Sequence, residues 1–244
     1  MRRLLNLNGL IAVNKPPGVT CSDLLDNIKT KLFNEISEAL PLGIRRQFKI
    51  GHGGTLDKNA EGVLVLGIGS ATKNLTQVLK GNKKYEAIGC LGSATNTYDS
   101  SGTVVCSHSY SHVSREDLEK ALETFRGNIL QVPPIYSALK LNGKRMSDLA
   151  HRGQHVDPKP ARPVTVHSLE CTHFSSPQFN LTLHCGGGFY VRSLIHDLGK
   201  SLGTSAHMTH LIRTEHGPFT LTQHALQPET LTIKVIQEAL LCNS

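Results

Sequence analysis

The chain has 244 residues, of which 39% are hydrophobic and 18% are charged, and this composition indicates a globular protein. No apolar run approaches the roughly 20 residues of a membrane-spanning helix, so we expect no membrane partner. Basic residues number 26 against 19 acidic ones, and the formal net charge of +7 favours a polyanionic partner, most simply a nucleic acid. On charge alone, an ordinary basic protein is the alternative.

The cysteines and the N-terminus bear on the compartment. Six cysteines are scattered along the chain and none lies in a CxxC pair, which argues against a disulfide scaffold or a zinc ribbon. The two N-terminal arginines are followed by leucines, but Leu10–Val13 already has the pattern of a strand. We therefore expect no signal peptide, and a short mitochondrial address stays open.

Hydrophobic periodicity predicts strands and helices mixed along the whole chain. In chain order they are a strand over Leu10–Val13, a helix over Thr20–Leu40, strands over Val63–Leu66 and Tyr85–Leu91, a helix over Ser114–Phe125, strands over Pro163–Cys171 and Gln178–Cys185, and helices over Tyr190–Leu202 and Thr232–Leu240. Thr20 or Ser22 is the predicted cap of the first helix, and Ser114 with Asp117 predicts a capping box. Because no composition shift marks a boundary, we expect one α+β domain over residues 1–244.

The longest turn-rich stretch runs from Gln131 to Pro163 and contains several Pro and Gly pairs. At about 30 residues it is too long for a simple connector, and excursions of this length are usually functional. Basic residues cluster at Arg45–Arg46, Lys80–Lys84, Lys140–Arg145 and Arg152–Arg162, each beside Gly or Pro. We therefore expect these clusters on loops, where binding residues tend to lie.

A glycine-rich stretch, GHGGTLDKNAEGVL from Gly51 to Leu64, precedes an apolar run. It lacks the lysine of a phosphate-binding loop, and its glycine spacing fails the dinucleotide fingerprint. His52 and Asp57 have no obvious third ligand nearby, which argues against a metal site. What remains is Asp57 on a turn, and an aspartate in that place is more often a turn or capping residue than a reactive carboxylate.

Several segments, in one order along the chain, resemble the TruB family of tRNA pseudouridine synthases. They are VNKPPGVTCSD, GHGGTLDKNAEGVLVLGIGSATK, KKYEAIGCLGSATNTYDSSG, QVPPIYSALKLNGKRMSDLAHRGQHV, ARPVTVHSLE and CGGGFYVRSLIHDLG. Together they extend from Val13 to about Phe219, and the combination is very specific. The GHGGTLD and CGGGFY spellings are closer to eukaryotic members, whereas bacterial members more often carry a lysine where this chain has Gly187 and Gly188.

The resemblance implies the pseudouridine synthase fold, an α+β fold with a mixed, largely antiparallel sheet flanked by helices and loops. It identifies residues 131–163 as an RNA-gripping insertion and Asp57 as the catalytic carboxylate. Arg192 is implied to pair with Asp57, because a partly buried carboxylate keeps its charge only with a cationic partner. Further substrate-binding residues implied by the resemblance are His52, Tyr85, Tyr190 and Leu211, of which Tyr85 stacks on the target uracil.

The remaining candidate residues contact RNA or support the site. The candidates for phosphate contacts are basic side chains, namely Lys73 at the start of a helix and Lys140, Lys144, Arg145 and Arg152 in the insertion. Lys15 and Pro16 are implied to support the loop of Tyr85. Ordinary roles are the alternatives: solvated charges for the lysines and for Arg192, and core positions for Tyr85 and Leu211.

The implied reaction isomerises the T-loop uridine at tRNA position 55 to pseudouridine. The C1′–N1 bond breaks and C5 joins C1′ without net redox change, so we expect neither a cofactor nor a metal. The expected partners are the T-arm of tRNA and T-loop-like hairpins in messenger or other RNA. We expect a monomer in the nucleus or cytoplasm, with the mitochondrion left open.

Two other functions and one departure from the family accompany this interpretation. An RNA-binding chaperone without chemistry would not need Asp57, Tyr85 and Arg192, and a metal-dependent hydrolase would use His52 and Asp57. Many relatives continue into a C-terminal PUA domain. Since the chain stops at Ser244, we expect no PUA domain and recognition mainly by the catalytic domain.

Overall fold

The computed structural model describes residues 7–37 and 49–242. The strands are β1 (Gly9–Lys15), β2 (Ile50–Gly53), β3 (Glu61–Ile68), β4 (Lys83–Leu91), β5 (Ser93–Thr95), β6 (Val104–Ser107), β7 (Gly127–Gln131), β8 (Lys140–Leu141), β9 (Lys144–Arg145), β10 (Arg162–Ser175), β11 (Gln178–Cys185), β12 (Ala206–His216), β13 (Phe219–Thr220) and β14 (Ala225–Leu226). The helices are α1 (Cys21–Ser37), α2 (Leu75–Lys80), α3 (Arg115–Glu123), α4 (Met146–His151), α5 (Val191–Ser201) and α6 (Ile233–Cys242).

The described residues form two compact units, the first within residues 1–83 and 212–244 and the second comprising Lys84–Leu211. In the first unit the strand order is β14-β1-β3-β12, and β2 also pairs with β3. Strand β3 runs antiparallel to β1 and β2 and parallel to the end of β12. Its residues Val63–Leu66 are fully buried, which explains why this strand is a continuous apolar run rather than an alternating one.

Helix α1 of the first unit begins at a capping box. The Thr20 hydroxyl accepts from the backbone N–H of Asp23 at 3.1 Å, and the Asp23 carboxylate accepts from the backbone N–H of Thr20 at 3.3 Å. Leu24, Ile28 and Leu32 form its buried face. The predicted cap at Thr20 is therefore confirmed, while the end of the predicted helix, residues 38–40, lies outside the described residues.

In the second unit the strand order in the sheet is β4-β11-β10-β7, and β12 pairs with β4. The β10–β11 and β7–β10 pairs are antiparallel, and in the latter Arg162 lies opposite Gln131. Helix α3 begins at the predicted capping box of Ser114 and Asp117. Two short hairpins, β5–β6 and β8–β9, complete the unit.

The predicted α+β class is confirmed, as are the predicted strands and helices within the described residues. The predicted insertion begins at the last residue of β7 and ends at the second residue of β10. The expectation of a single catalytic domain over residues 1–244 stays a prediction. Within residues 7–37 and 49–242, no helix is long and apolar enough to cross a membrane.

Strand β12 was not predicted from the sequence. Its buried positions include Arg213 and His216 as well as Met208 and Leu211, so the apolar alternation that marks a strand is broken. Residues Gly51 and His52, for which no strand was predicted, belong to strand β2. The sequence signal failed in both places because polar residues and glycines occupy strand positions.

Candidate active site

Asp57 lies in the segment between β2 and β3, residues 54–60, which we call the Asp57 segment. Its side chain is half-buried, and Leu56 before it is buried. The backbone N–H of Ala60 donates to the Asp57 carbonyl at 3.1 Å, which closes a tight turn directly after the carboxylate. Asp57 is therefore on a short, locally hydrogen-bonded turn, as the sequence predicted.

Buried Lys15 fixes the end of the Asp57 segment. Its ammonium donates to the carbonyl oxygens of Ala60 at 2.6 Å, Lys58 at 3.0 Å and Pro16 at 2.9 Å. Burial lowers the pKa of Lys15, while the nearby Cys21 and Asp57 act in the opposite direction. Pro16 follows β1 and is half-buried. These contacts support the Asp57 segment, and the implied support of the Tyr85 loop stays a prediction.

The Cys21 thiol contacts the residue just before Asp57. Its sulfur accepts from the backbone N–H of Leu56 at 3.2 Å and donates to the Leu56 carbonyl at 3.4 Å. Burial raises the pKa of Cys21, so the sulfur keeps the proton that it donates. This role was not predicted, because a cysteine at the start of a helix carries no spacing signal.

Buried Arg213 of β12 holds the other side of the segment. Its guanidinium donates to the carbonyl of Gly54 at 2.8 Å and to that of Val63 at 2.7 Å. The backbones approach so closely that a Cβ on Gly62, where φ is +106°, would lie 2.3 Å from the Arg213 carbonyl oxygen. Only glycine fits there, since it tolerates both the conformation and the contact. Arg213 was not among the predicted site residues.

The other predicted residues of the first unit lie on neighbouring elements. His52 is half-buried on β2, opposite Leu66 of β3. Lys73 is exposed on a short 3₁₀ helix, Gly69–Asn74, which directly precedes α2. An exposed lysine at this place has the freedom to contact a phosphate.

Arg192 of the second unit lies in the first turn of α5, and its side chain is only 5% exposed. Its guanidinium donates to the carbonyls of Thr97 at 2.9 Å and Tyr136 at 3.0 Å. Its Nε lies 3.7 Å from the carboxylate of Asp99. A solvated surface charge is thus not the role of Arg192, and its implied pairing with Asp57 stays a prediction.

Asp99, which contacts Arg192, was not predicted as a site residue, although it lies in the segment KKYEAIGCLGSATNTYDSSG that resembles the family. Its carboxylate also accepts from the Thr97 hydroxyl at 2.8 Å and the Ser101 backbone N–H at 3.0 Å. The preceding Tyr98 has a left-handed backbone, with φ of 65°, and its ring stacks on His196 at 3.8 Å. Burial lowers the pKa of His196 to about 4, so that imidazole is neutral at pH 7.

The remaining predicted uridine-binding residues also belong to the second unit. Tyr85 is buried on β4, and Leu211 is buried on β12. Tyr190 is the residue before α5, and its ring lies 5.2 Å from the Arg162 guanidinium, within cation–π range. The second unit therefore supplies two tyrosines, one leucine and a buried arginine to the predicted set.

Four of the five predicted RNA contacts come together in one place. Lys140, Lys144, Arg145 and Arg152 line a groove of about 350 Å³ with Gly143, Asp148 and Leu149, which we call the basic groove. All four basic side chains are exposed. The β8–β9 turn has positive φ at Asn142 (50°) and Gly143 (81°), as a tight two-residue hairpin requires. The groove is thus an electropositive concavity within the predicted insertion.

Among the described residues, no group of three or more His, Cys, Asp or Glu side chains is placed to hold a metal ion. The described residues instead provide a half-buried carboxylate on a fixed segment, a buried arginine, tyrosines and a basic groove. Such groups suit a reaction that needs an ionised carboxylate and a polyanionic substrate.

Comparison with known proteins agrees with this chemistry. Residues 42–191 match the N-terminal domain of the TruB family pseudouridylate synthases, and residues 192–242 match the C-terminal domain of tRNA pseudouridylate synthase B. The chain is 51% identical to pseudouridylate synthase TRUB1 of Homo sapiens over 98% of its own length and 69% of that protein. It is 37% identical to tRNA pseudouridine synthase B of Dehalococcoides mccartyi over 88% of its length and 67% of that protein.

A solved structure gives the same fold. A chain in the crystal structure of a Cbf5-Nop10-Gar1 complex superposes with a TM-score of 0.69 and 26% sequence identity. The superposition covers 96% of this chain and 55% of the other, so the chain spans little more than half the length of that neighbour.

Proposed function

The chain belongs to the TruB family of pseudouridylate synthases, and we propose that it isomerises the T-loop uridine at position 55 of tRNA with Asp57 as the catalytic carboxylate. The observation that carries this proposal is the Asp57 segment. Three buried side chains, Lys15, Cys21 and Arg213, bind its backbone on both sides of a half-buried carboxylate. A segment fixed in this way holds a reactive group in one geometry, which is what positioning contributes to a rate.

The chemistry requires an ionised carboxylate. The C1′–N1 bond breaks, the uracil turns, and C5 forms a bond to C1′ before its proton is lost, so the product is an isomer of the substrate. Asp57 attacks the sugar, attacks the base or removes a ribose proton, and each of these needs the carboxylate form. Asp57 in turn acts on Lys15, because its charge opposes the lowering of the Lys15 pKa by burial.

We assign binding of the uridine to His52, Tyr85, Tyr190, Arg192 and Leu211. A base within a folded loop must leave its stack before it reacts, which costs a few kcal/mol. Aromatic rings such as that of Tyr85 recover part of this cost by stacking on the exposed base. Leu211 supplies an apolar wall, and Arg192 supplies a buried positive charge.

We assign the RNA backbone to the basic groove and to Lys73. Four exposed basic side chains around one concavity suit a polyanion such as an RNA strand better than a neutral ligand. Binding through shape and phosphates would extend to any RNA hairpin with the T-loop form, including hairpins in messenger RNA. The monomeric state and the nuclear or cytoplasmic location stay predictions.

The experiment uses the purified chain and an unmodified tRNA transcript that carries tritium at C5 of uridine. We expect tritium release and a pseudouridine mapped to position 55, with no release from a transcript that carries cytidine there. EDTA should leave the rate unchanged, which separates this reaction from metal-dependent hydrolysis. Absence of pseudouridine, or its appearance at other positions only, would contradict the proposal.

A further inference from the structure

Both ends of the insertion contact the segment that leads into α5. Gln131, the last residue of β7, is buried, and Arg162 opposite it begins β10. The Gln131 amide accepts from the backbone N–H of Tyr190 at 2.8 Å and donates to the Tyr190 carbonyl at 3.0 Å. A side-chain amide here satisfies both polar groups of one residue, as a neighbouring strand would.

Arg162 contacts the same segment through its charged side chain. Its guanidinium donates to the carbonyl of Gly188, which has φ of +84°, and stands 5.2 Å from the centre of the Tyr190 ring. One planar guanidinium can make both contacts, whereas a lysine ammonium cannot replace them together. Arg162 therefore fixes the ring of Tyr190, while Gln131 fixes its backbone.

These contacts lie at the start of α5. The Tyr190 carbonyl that receives the Gln131 amide also accepts the backbone N–H of Leu194, at 3.2 Å. Arg192 is the second residue of that helix. The Ser193 hydroxyl donates to the carbonyl of Val132, the residue after Gln131, at 2.9 Å. The rotation of the first helical turn, and with it the direction of Arg192, therefore depends on contacts with the first two residues of the insertion.

We propose that Gln131 and Arg162 are positioning residues, which hold Tyr190 and the first turn of α5 so that Arg192 and Tyr190 meet the uridine in productive geometry. The inference rests on the proposed function of this chain as a pseudouridine synthase. The two ends of the insertion would then influence the rate of isomerisation, whereas the basic groove binds the RNA.

The test measures single-turnover isomerisation at saturating tRNA and, separately, the Kd for tRNA. Gln131→Leu and Arg162→Lys should each lower the single-turnover rate by about 10- to 100-fold, because small misplacements are costly in rate. Kd should stay within about threefold, since neither variant removes a residue of the basic groove. Gln131→Glu keeps the acceptor for the Tyr190 N–H and loses the donor, so its rate should lie between those of wild type and Gln131→Leu.

Two matched controls exist in the same unit. Arg126 also donates twice to one backbone carbonyl, that of Leu169, at 3.0 and 2.8 Å. These two hydrogen bonds do not involve Tyr190. Gln178 is an exposed glutamine at the start of β11. Arg126→Lys and Gln178→Leu should retain the wild-type rate, and all variants should keep the wild-type circular dichroism spectrum.

A double variant separates positioning from general support of the fold. In an Arg192→Lys background, Gln131→Leu should cost less than about threefold in rate, because the two changes act through one helical turn. Full additivity would overturn the inference, and so would a wild-type rate in both single variants or a weaker Kd with an unchanged rate. An inactive wild-type enzyme would instead refute the proposed function, which keeps the two failures distinct.

Discussion

Replacing Lys15 by methionine tests whether the Asp57 segment depends on its buried contacts. Methionine keeps an unbranched apolar side chain as far as Cε and removes the ammonium that binds the carbonyls of Ala60, Lys58 and Pro16. The Lys58 carbonyl keeps its bond from the Gly18 N–H at 3.0 Å. The variant therefore removes the ammonium donor from three carbonyls, of which that of Ala60 is the most deeply buried.

The expected magnitude follows from those groups. Removing a donor from a buried carbonyl costs about 1–3 kcal/mol, and the ammonium is itself expensive to bury, so the net loss in the free energy of unfolding should be about 2–3 kcal/mol. A displacement of the Asp57 segment by about 1 Å should lower the single-turnover rate roughly 100-fold. Urea unfolding measures the first quantity, and tritium release from labelled tRNA measures the second.

Lys29→Met is the matched control. Lys29 forms a surface ion pair with Asp26 at 2.9 Å on helix α1, and such pairs are worth less than about 1 kcal/mol. The Lys29→Met variant should react at the wild-type rate. If Lys15→Met retained both the wild-type rate and a stability within about 0.5 kcal/mol, the argument that Lys15 holds the Asp57 segment would be refuted.

The remaining predictions concern the thiol, the buried histidines and the basic groove. Cys21→Ala should lower the single-turnover rate about tenfold while Cys21→Ser stays closer to wild type, because only serine retains both contacts with Leu56; equal losses would contradict this. Burial lowers the pKa of His196 to about 4 and of His216 to about 3, whereas the unfolded chain binds these protons near pH 6.5. Stability should therefore be lost as pH falls below 6.5, by up to about 1.4 kcal/mol per pH unit for each histidine, and urea unfolding of His216→Gln should show a shallower loss than the exposed control His155→Gln. If all four basic side chains of the groove contact phosphates, the log–log slope of tRNA affinity against salt should be about −3 to −4, and Lys144→Ala or Arg152→Ala should each reduce it by about one unit. An affinity that does not change with salt would assign the groove another purpose.

Local patterns predicted the elements that local interactions specify. Ser114 and Asp117 bind each other across three residues, and Leu118 and Leu122 mark the buried face of the same helix. The fully buried strand β3 follows from an apolar run that has no polar face. Asp57 itself emerged from the resemblance of several segments to one family, because an aspartate on a turn has no distinctive local signature.

Long-range contacts explain what the sequence did not predict. Arg213 is buried because its guanidinium meets the carbonyls of Gly54 and Val63, which are about 150 residues away along the chain. Asp99 and Arg192 likewise come together across a long stretch of sequence, as do Cys21 and Leu56 across a shorter one. A polar residue in such a place resembles a surface residue until its partners are known.

The role of Asp57 is the central claim, and the single-turnover rate of Asp57→Asn on labelled tRNA tests it most directly. Asparagine has nearly the same shape but no charge, so we expect no measurable pseudouridine at position 55, with the Kd for tRNA and the free energy of unfolding close to wild type. Asp26→Asn, an exposed aspartate on α1, should react at the wild-type rate. Turnover of Asp57→Asn within about tenfold of wild type, a loss below about 1.4 kcal/mol in transition-state stabilisation, would remove Asp57 from the chemistry.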